Sequence, residues 1–308
     1  MISRKEFLKK SLKLSAGAML PMAASGIMSG RPQDTITILY TNDTHARLDP
    51  FPQNATQFAG LGGISRRANV IKKIRRNQPN VLLLDAGDVF QGTPWFDVYG
   101  GEVDLKLMSE MKYDAMAVGN HEFDNGLDGF AEAAAKAKFP ILAANYGVRG
   151  TPMNEFVQRF IVKEIAGFRI GIFGLGIRLE GIMDKKLYGD VHYRSPYVWA
   201  EGMVNSLRKF HRCDFVICLS HIGYEYSDDR PDDLKLASTV PGMDLIIGGH
   251  THTFLDAAVP VTNPDGETTL VTQMGHSGVR LGRIDLDISS GSSLKMADRY
   301  YTIGKEEA

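Results

Sequence analysis

Seven side chains of metal-ligand type follow directly on apolar runs of this chain. Asp43 and His45 come after TITILYT, Asp88 after NVLLLDAG, and Asn120 after DAMAVG. His221 comes after DFVICLS, and His250 and His252 come after MDLIIGG. The set mixes imidazole, carboxylate and amide oxygen and contains no thiolate. That favours borderline divalent ions such as Mn, Zn, Fe or Co over Cu(I) or an iron–sulfur cluster. Seven donors are too many for one tetrahedral ion. They suit two ions sharing a carboxylate, and Asp88 is the natural bridge because a carboxylate has two oxygens. Ions about 3.5–4 Å apart can generate hydroxide from water and clamp both ends of an in-line displacement at phosphorus.

Spacing supports this chemistry. Asp43 and His45 are two residues apart, as are His250 and His252, and residues two apart in extended chain point the same way. Gly248 and Gly249 lack a Cβ, so backbone can turn sharply or pass close to a site there. His121 and Asp124, three apart, can form an imidazole–carboxylate contact that orients the ring and raises its pKa. A protonated imidazole beside metal ions would stabilise a transition state or protonate a leaving alkoxide. Each fragment alone has a plainer reading. Gly87-Asp88 could be a turn, Asn120 a helix cap with Glu122 in the first turn, and HTH an exposed strand end. Their joint recurrence after buried strands is what points to a site. His192 and His211 read as solvated histidines, and His276 in QMGHSG stays open.

The positioning elements are short β-branched runs that read as buried strands: 35–41, 80–87, 114–119, 139–145, 168–175, 214–220, 243–249, 268–274 and 280–288. Helical patterns fall at 64–77, 102–112, 128–138 and 198–212. Alternation of the two in the first half predicts βαβ units and a largely parallel sheet, with ligands at the carboxyl ends of strands. From 243 onward, short turns such as NPDGET predict antiparallel pairing. One mixed α/β domain over 35–305 is the simplest organisation.

Composition sets the remaining bounds. Apolar residues make up 44%, enough for a sizeable core, and a net charge of −1 argues against general nucleic-acid affinity. Residues 1–30 have the order of a secretory signal: a basic start with Arg4, Lys5, Lys9, Lys10 and Lys13, then an uncharged apolar and small-residue stretch. SRKEFLK also resembles a twin-arginine signal, with Lys5 at the second arginine. The apolar stretch is short for a membrane span, so the expected location is periplasmic or extracellular, with no stable membrane anchor. Losing five positive charges and Glu6 from −1 leaves −5. An anionic substrate would therefore be drawn by local charge, such as metal ions, and not by the global field. Cys213 and Cys218, five apart on a predicted strand, should face opposite sides and act as small buried apolar residues.

The stretches TNDTHARLDP, DAGDVFQG, VGNHEFDNG, SHIGYE and GGHTHT closely resemble the calcineurin-like metallophosphoesterases. The best match within them is the N-terminal catalytic domain of bacterial 5′-nucleotidases and UDP-sugar hydrolases, to which QMGHSGVRLGRIDLDI is also similar. The resemblance covers roughly 35–290. It implies a four-layer α/β/β/α sandwich with mixed sheets. It implies that Asp43, His45, Asp88 and His252 hold a first metal and Asp88, Asn120, His221 and His250 a second. It also implies a catalytic His121 with Asp124 as its partner. The implied activity is phosphate-ester hydrolysis, with nucleoside 5′-monophosphates as substrate. A cyclic-nucleotide phosphodiesterase and a UDP-sugar pyrophosphatase are the alternatives. The longer 5′-nucleotidases add a nucleotide-binding domain that 31–308 does not match. This raises the expectation of a partner subunit or of a separate polypeptide supplying that domain.

Overall fold

The computed structural model describes residues 31–289 and 295–305. The expected signal segment, 1–30, lies outside them. Among the described residues, fifteen strands form two large sheets and one small one. They are β1 (Thr35–Thr41), β2 (Val81–Asp85), β3 (Ala115–Ala117), β4 (Ile141–Leu142), β5 (Tyr146–Gly147), β6 (Val157–Gln158), β7 (Phe160–Ile165) and β8 (Phe168–Gly176). They continue with β9 (His192–Tyr193), β10 (Phe215–His221), β11 (Leu245–Gly248), β12 (Val259–Thr262), β13 (Thr268–Thr272), β14 (Arg280–Asp287) and β15 (Lys295–Thr302). The helices are α1 (Ile64–Asn77), α2 (Pro94–Tyr99), α3 (Glu102–Glu110), α4 (Gly126–Ala134), α5 (Lys185–Tyr188), α6 (Pro196–Asn205) and α7 (Asp233–Thr239).

The seven-stranded sheet runs β15-β14-β1-β2-β3-β4-β6, and the six-stranded sheet β12-β13-β11-β10-β8-β7. Pairing from β1 through β2, β3 and β4 to β6 is parallel, as the alternating pattern predicts. The expectation of antiparallel pairing after 243 holds for β12–β13 and β14–β15. It fails for β11 and β13, which pair in parallel because the chain between them leaves the sheet edge and returns through β12.

Side-chain alternation builds the layers. On β1, Ile36, Ile38 and Tyr40 join Ile170, Ile172, Phe215, Ile217 and Ile247 in a core between the two sheets. Leu39 points the other way and packs with Ile71 and Ile74 of α1, Leu105 and Met108 of α3, and Phe130 of α4. On the far side, Phe173, Val216, Cys218 and Ile246 pack under Ala200 and Met203 of α6 and Leu236 of α7. The order is helix, sheet, sheet, helix, the four-layer sandwich that the resemblance implies. Each fully buried large apolar side chain contributes about 1.5–3 kcal/mol. The central strands carry such side chains on both faces, so they read as continuous apolar runs.

Cys213 and Cys218 are buried and free, and they share one apolar cluster. The expectation of opposite faces fails because Cys213 precedes β10, where strand alternation does not apply. Among the described residues no helix is long and apolar enough to cross a membrane.

Candidate metal centre

All seven expected ligands lie at one seam, where the carboxyl ends of strands from both large sheets meet. β1, β2 and β3 of one sheet deliver Asp43, His45, Asp88 and Asn120, while β10 and β11 of the other deliver His221, His250 and His252. Asp43, His45 and His252 form one group whose candidate ligand atoms all lie within 4.8 Å of one another. Asp88, His221 and His250 form a second on the same criterion. The Asn120 Oδ1 atom joins the second group, 2.8 Å from His250 Nδ1. Asp43 Oδ1 lies 3.4 Å from His252 Nε2 and 3.9 Å from His221 Nε2, so it reaches toward both groups.

The i, i+2 pairs converge by a different route from the one spacing suggests. Both pairs lie beyond the strand ends, and extended alternation does not place them. Asp43, His45, Asp88, His250 and His252 all have left-handed backbone, with φ of 50, 49, 55, 74 and 54°. Such conformations cost about 1–3 kcal/mol each for a non-glycine residue and persist where surrounding structure over-determines them. Here backbone bonds do so. Asp43, His45 and Ala46 donate to the carbonyls of Gly87, Asp88 and Val89 at 2.8, 3.1 and 2.7 Å. The His250 N–H donates to both Asp43 oxygens at 3.0 Å. Glycine is required at two close approaches. A Cβ at Gly119 would sit 2.3 Å from Asp88 Oδ1, and one at Gly249 would sit 2.7 Å from His221 Nδ1.

The donor set fits cations. His221 Nδ1 lies 2.7 Å from the Ala86 carbonyl, which can only accept, so Nδ1 carries a proton. Nε2 of neutral His221 is then a bare lone pair, fully buried, without a hydrogen-bond partner and 2.9 Å from Asp88 Oδ2. Two facing acceptors at that separation repel unless a positive charge lies with them. The first group repeats the arrangement. His45 Nδ1 is 3.2 Å from the Phe90 carbonyl, and His45 Nε2 faces His252 Nε2 at 2.9 Å. A carbonyl behind each imidazole fixes the tautomer that leaves Nε2 free to ligate.

A proton in that place is strongly held as well. Burial would lower the His221 pKa, but Asp88, with Asp43 and Glu122, outweighs it and raises it to about 10. Burial would raise Asp88, yet His221, His121 and His45 hold it well below the usual carboxylate range. Burial, with His221 beside it, lowers His250 to about 4. Burial likewise lowers His45. His121 goes the other way: its burial is outweighed by Asp124, whose Oδ2 lies 2.7 Å from His121 Nδ1, and by Asp88. The His121 backbone N–H donates to Asp88 Oδ1 at 2.8 Å, which ties this pair to the second group.

Two residues beyond the expected set complete the frame. Glu122, fully buried, accepts the backbone N–H groups of Asp88, Val89, Phe90 and Gly119 at 3.0, 2.8, 3.3 and 2.6 Å. Asn42 donates to Asp43 Oδ2 at 2.6 Å and clamps Met274 and Gly275 at the end of β13. From sequence, Asn42 shows only as a polar neighbour of the expected ligands and Glu122 only as a residue of a first helical turn. His276, open from sequence, stacks on His252 with centroids 4.8 Å apart. His192 and His211 lie outside both groups.

Known proteins point the same way. A family model for the calcineurin-like phosphoesterases matches residues 36–254. The snake venom 5′-nucleotidase of Naja atra is 36% identical over 241 residues, 74% of this chain and 43% of the relative. The 5′-nucleotidase of Homo sapiens is 33% identical over 298 residues, 90% of this chain and 49% of the relative. Among solved structures, the 5′-nucleotidase precursor of Thermus thermophilus superposes with a TM-score of 0.78 at 32% identity. That match covers 87% of this chain and 54% of the other. The chain spans about half the length of the curated relatives it matches. With the sandwich, the two donor groups and the matched length in agreement, the chain belongs to the calcineurin-like phosphoesterase family.

Proposed function

We propose that this chain is an exported, metal-dependent phosphoric ester hydrolase whose substrates are nucleoside 5′-monophosphates. The observation that carries it is the convergence of two His/Asp groups from two sheets, with a hydrogen-bonded His121–Asp124 pair alongside. In this reading Asp43, His45, Asp88 and His252 hold one ion. Asp88, Asn120, His221 and His250 hold the other. Divalent ions, when bound, supply the Lewis acidity that activates water and neutralises phosphoryl oxygens.

The chain's own residues do the rest. The carbonyls of Ala86 and Phe90 keep His221 and His45 in the ligating tautomer. Asp124 accepts from His121 Nδ1, and its charge favours a protonated ring. The other ring nitrogen, Nε2, then holds the proton that the leaving alkoxide needs. The nucleotide preference is supported by the named activity of the relatives, and export by the signal-like order of residues 1–30.

The test is turnover by the purified chain of AMP, UDP-glucose, a cyclic nucleotide and p-nitrophenyl phosphate, with Mn and with chelator. AMP hydrolysis should dominate and stop with chelator. Asp88→Asn and His121→Ala should each lose at least about 100-fold in kcat. Undiminished turnover by Asp88→Asn would sink the reading. The secreted chain should have a mass that lacks the segment near residues 1–30.

A further inference from the structure

We propose that Gln273 is a positioning residue that sets His250 and His252 together, so that both ions of the proposed centre depend on one buried amide. This rests on the phosphoesterase reading and names what fixes two of its four imidazole ligands.

His250 and His252 lie beyond the end of β11, and both have left-handed backbone, with φ of 74 and 54°. Two such residues on either side of Thr251 are unfavourable in a free chain, so neighbouring groups must hold the segment. Its bonds converge on Gln273, which follows the last residue of β13 and is fully buried. Gln273 Nε2 donates to the Gly249 carbonyl at 2.9 Å. Gln273 Oε1 accepts the Thr253 N–H at 2.5 Å and the Thr251 hydroxyl at 3.2 Å. These partners are the residues before, after and between the two histidines. The amide cannot be turned round, because a backbone carbonyl only accepts and a backbone N–H only donates.

Neighbouring residues make room for the amide and tie it to the other sheet. A Cβ at Gly248 would lie 3.1 Å from Gln273 Nε2 and 2.2 Å from Asp233 Oδ2, so the first glycine of GGHTHT leaves the space the amide fills. The Leu255 N–H donates to the Gln273 carbonyl at 3.2 Å, and the Gly275 N–H to the Thr253 carbonyl at 2.9 Å. The loop is thereby closed onto the end of β13. The next residue, Met274, donates its N–H to Asn42 Oδ1 at 2.8 Å, and Asn42 donates to Asp43 Oδ2 at 2.6 Å. Gln273 therefore joins the loop that carries His250 and His252 to a strand end fixed beside Asp43.

The two histidines belong to different groups, His252 with Asp43 and His45, and His250 with Asp88 and His221. The carbonyls behind His45 and His221 each support one group, whereas the Gln273 amide supports both. Loss of the amide would leave the buried Gly249 carbonyl and the Thr253 N–H without this partner, and the segment can relieve that only by shifting. Both imidazoles would move with it.

The experiment is titration of the metal-free full chain with Co(II), read by visible absorption, in the parent and in Gln273→Met, Thr251→Val and Thr269→Val. Methionine matches the length of Gln273 and has no donor. Thr251→Val removes one of the three bonds, with a hydroxyl that also accepts the Tyr224 N–H at 3.0 Å. Thr269, fully buried on β13, donates to the Met243 carbonyl at 2.8 Å and controls for lost stability alone. The parent should bind two equivalents. In Gln273→Met both equivalents should weaken at least about ten-fold, and the spectrum at saturation should change because the imidazoles meet the ions differently. Thr251→Val should weaken both by less, and Thr269→Val should melt lower yet bind and absorb like the parent. Unchanged affinity and spectrum in Gln273→Met, weakening of one equivalent alone, or an equal loss in Thr269→Val would overturn the positioning role and leave the phosphoesterase reading standing. Should Gln273→Met fail to fold, parent-like affinity in Thr251→Val would overturn the role. A parent that binds no Co(II) would overturn the phosphoesterase reading and this inference with it.

Discussion

Glu122 shows how a residue can govern a site without entering it. Its carboxylate gathers four backbone N–H groups, three from the Asp88 loop and one from Gly119 beside Asn120. It thereby fixes two ligand-bearing loops against each other. Glu122→Gln keeps the shape but places an NH₂ against donors. Metal affinity, measured by titration of the metal-free chain, should fall about 10–100-fold, and Glu122→Asp should recover part of it. Unchanged affinity in Glu122→Gln would refute that role. At this scale the sequence was informative about type and silent about conformation. Asp43, His45, Asp88, His250 and His252 could be named because imidazole and carboxylate after apolar runs are chemically conspicuous. Their left-handed backbone could not be read, because none of the five is glycine and the bonds that hold them come from distant loops. Glu122 could be read only as a residue in a first helical turn, since three of its four partners lie more than 30 positions earlier.

At the level of elements, the central strands were legible because burial on both faces leaves an unbroken apolar run, as in VLLLD of β2 and FVICLSH of β10. The edge strands β7, β12 and β15 were not, since each keeps a half-exposed face and mixed composition. Helices α2, α5 and α7 run six, four and seven residues, too short to show a period. Helix α3 carries a testable cost. Asp104 in its first turn is buried, and its Oδ2 lacks a hydrogen-bond partner among the described residues. Burial pushes the carboxyl up to about 7, with Arg67 opposing only in part. Below about pH 4 this carboxyl is protonated folded or unfolded. Above that, the unfolded chain releases its proton first, so stability declines as pH rises toward 7. Asp104→Asn stays neutral throughout. Its melting temperature relative to the parent should therefore be higher at pH 8 than at pH 5, by at least about 2 °C. Equal differences at the two pH values would show that the carboxyl titrates alike in the folded and unfolded chain, so that burial does not raise its pKa.

Across the whole molecule, the two sheets are joined by the apolar layer and by few polar links, among them Tyr40 Oη to Thr272 Oγ1 at 2.9 Å. Ions at the seam would add ties from one sheet to the other. At a thousand times its dissociation constant, an ion stabilises the folded state by about 4 kcal/mol, a melting shift on the order of 10 °C. Differential scanning with Mn or Zn and with chelator measures it. Identical melting curves would mean that no ion bridges the sheets.

The division of ligands between sheets also orders events during synthesis. When residues up to β4 have emerged, the growing chain offers, of the proposed ligands, Asp43, Asp88 and Asn120 with His45 as the one imidazole. Three of the four imidazoles proposed as ligands arrive after residue 220. The first sheet is itself incomplete until β14 is made, because β14 pairs along β1 in its interior. A ribosome-bound fragment can therefore present an oxygen-rich half-site suited to hard ions, but not the imidazole-rich centre. In the proposed reading, loading of both groups with divalent ions would be a late step that follows release of nearly the whole chain. In that reading, the compartment in which the sheets finally close, and not the one in which translation starts, would decide which metal the protein meets first.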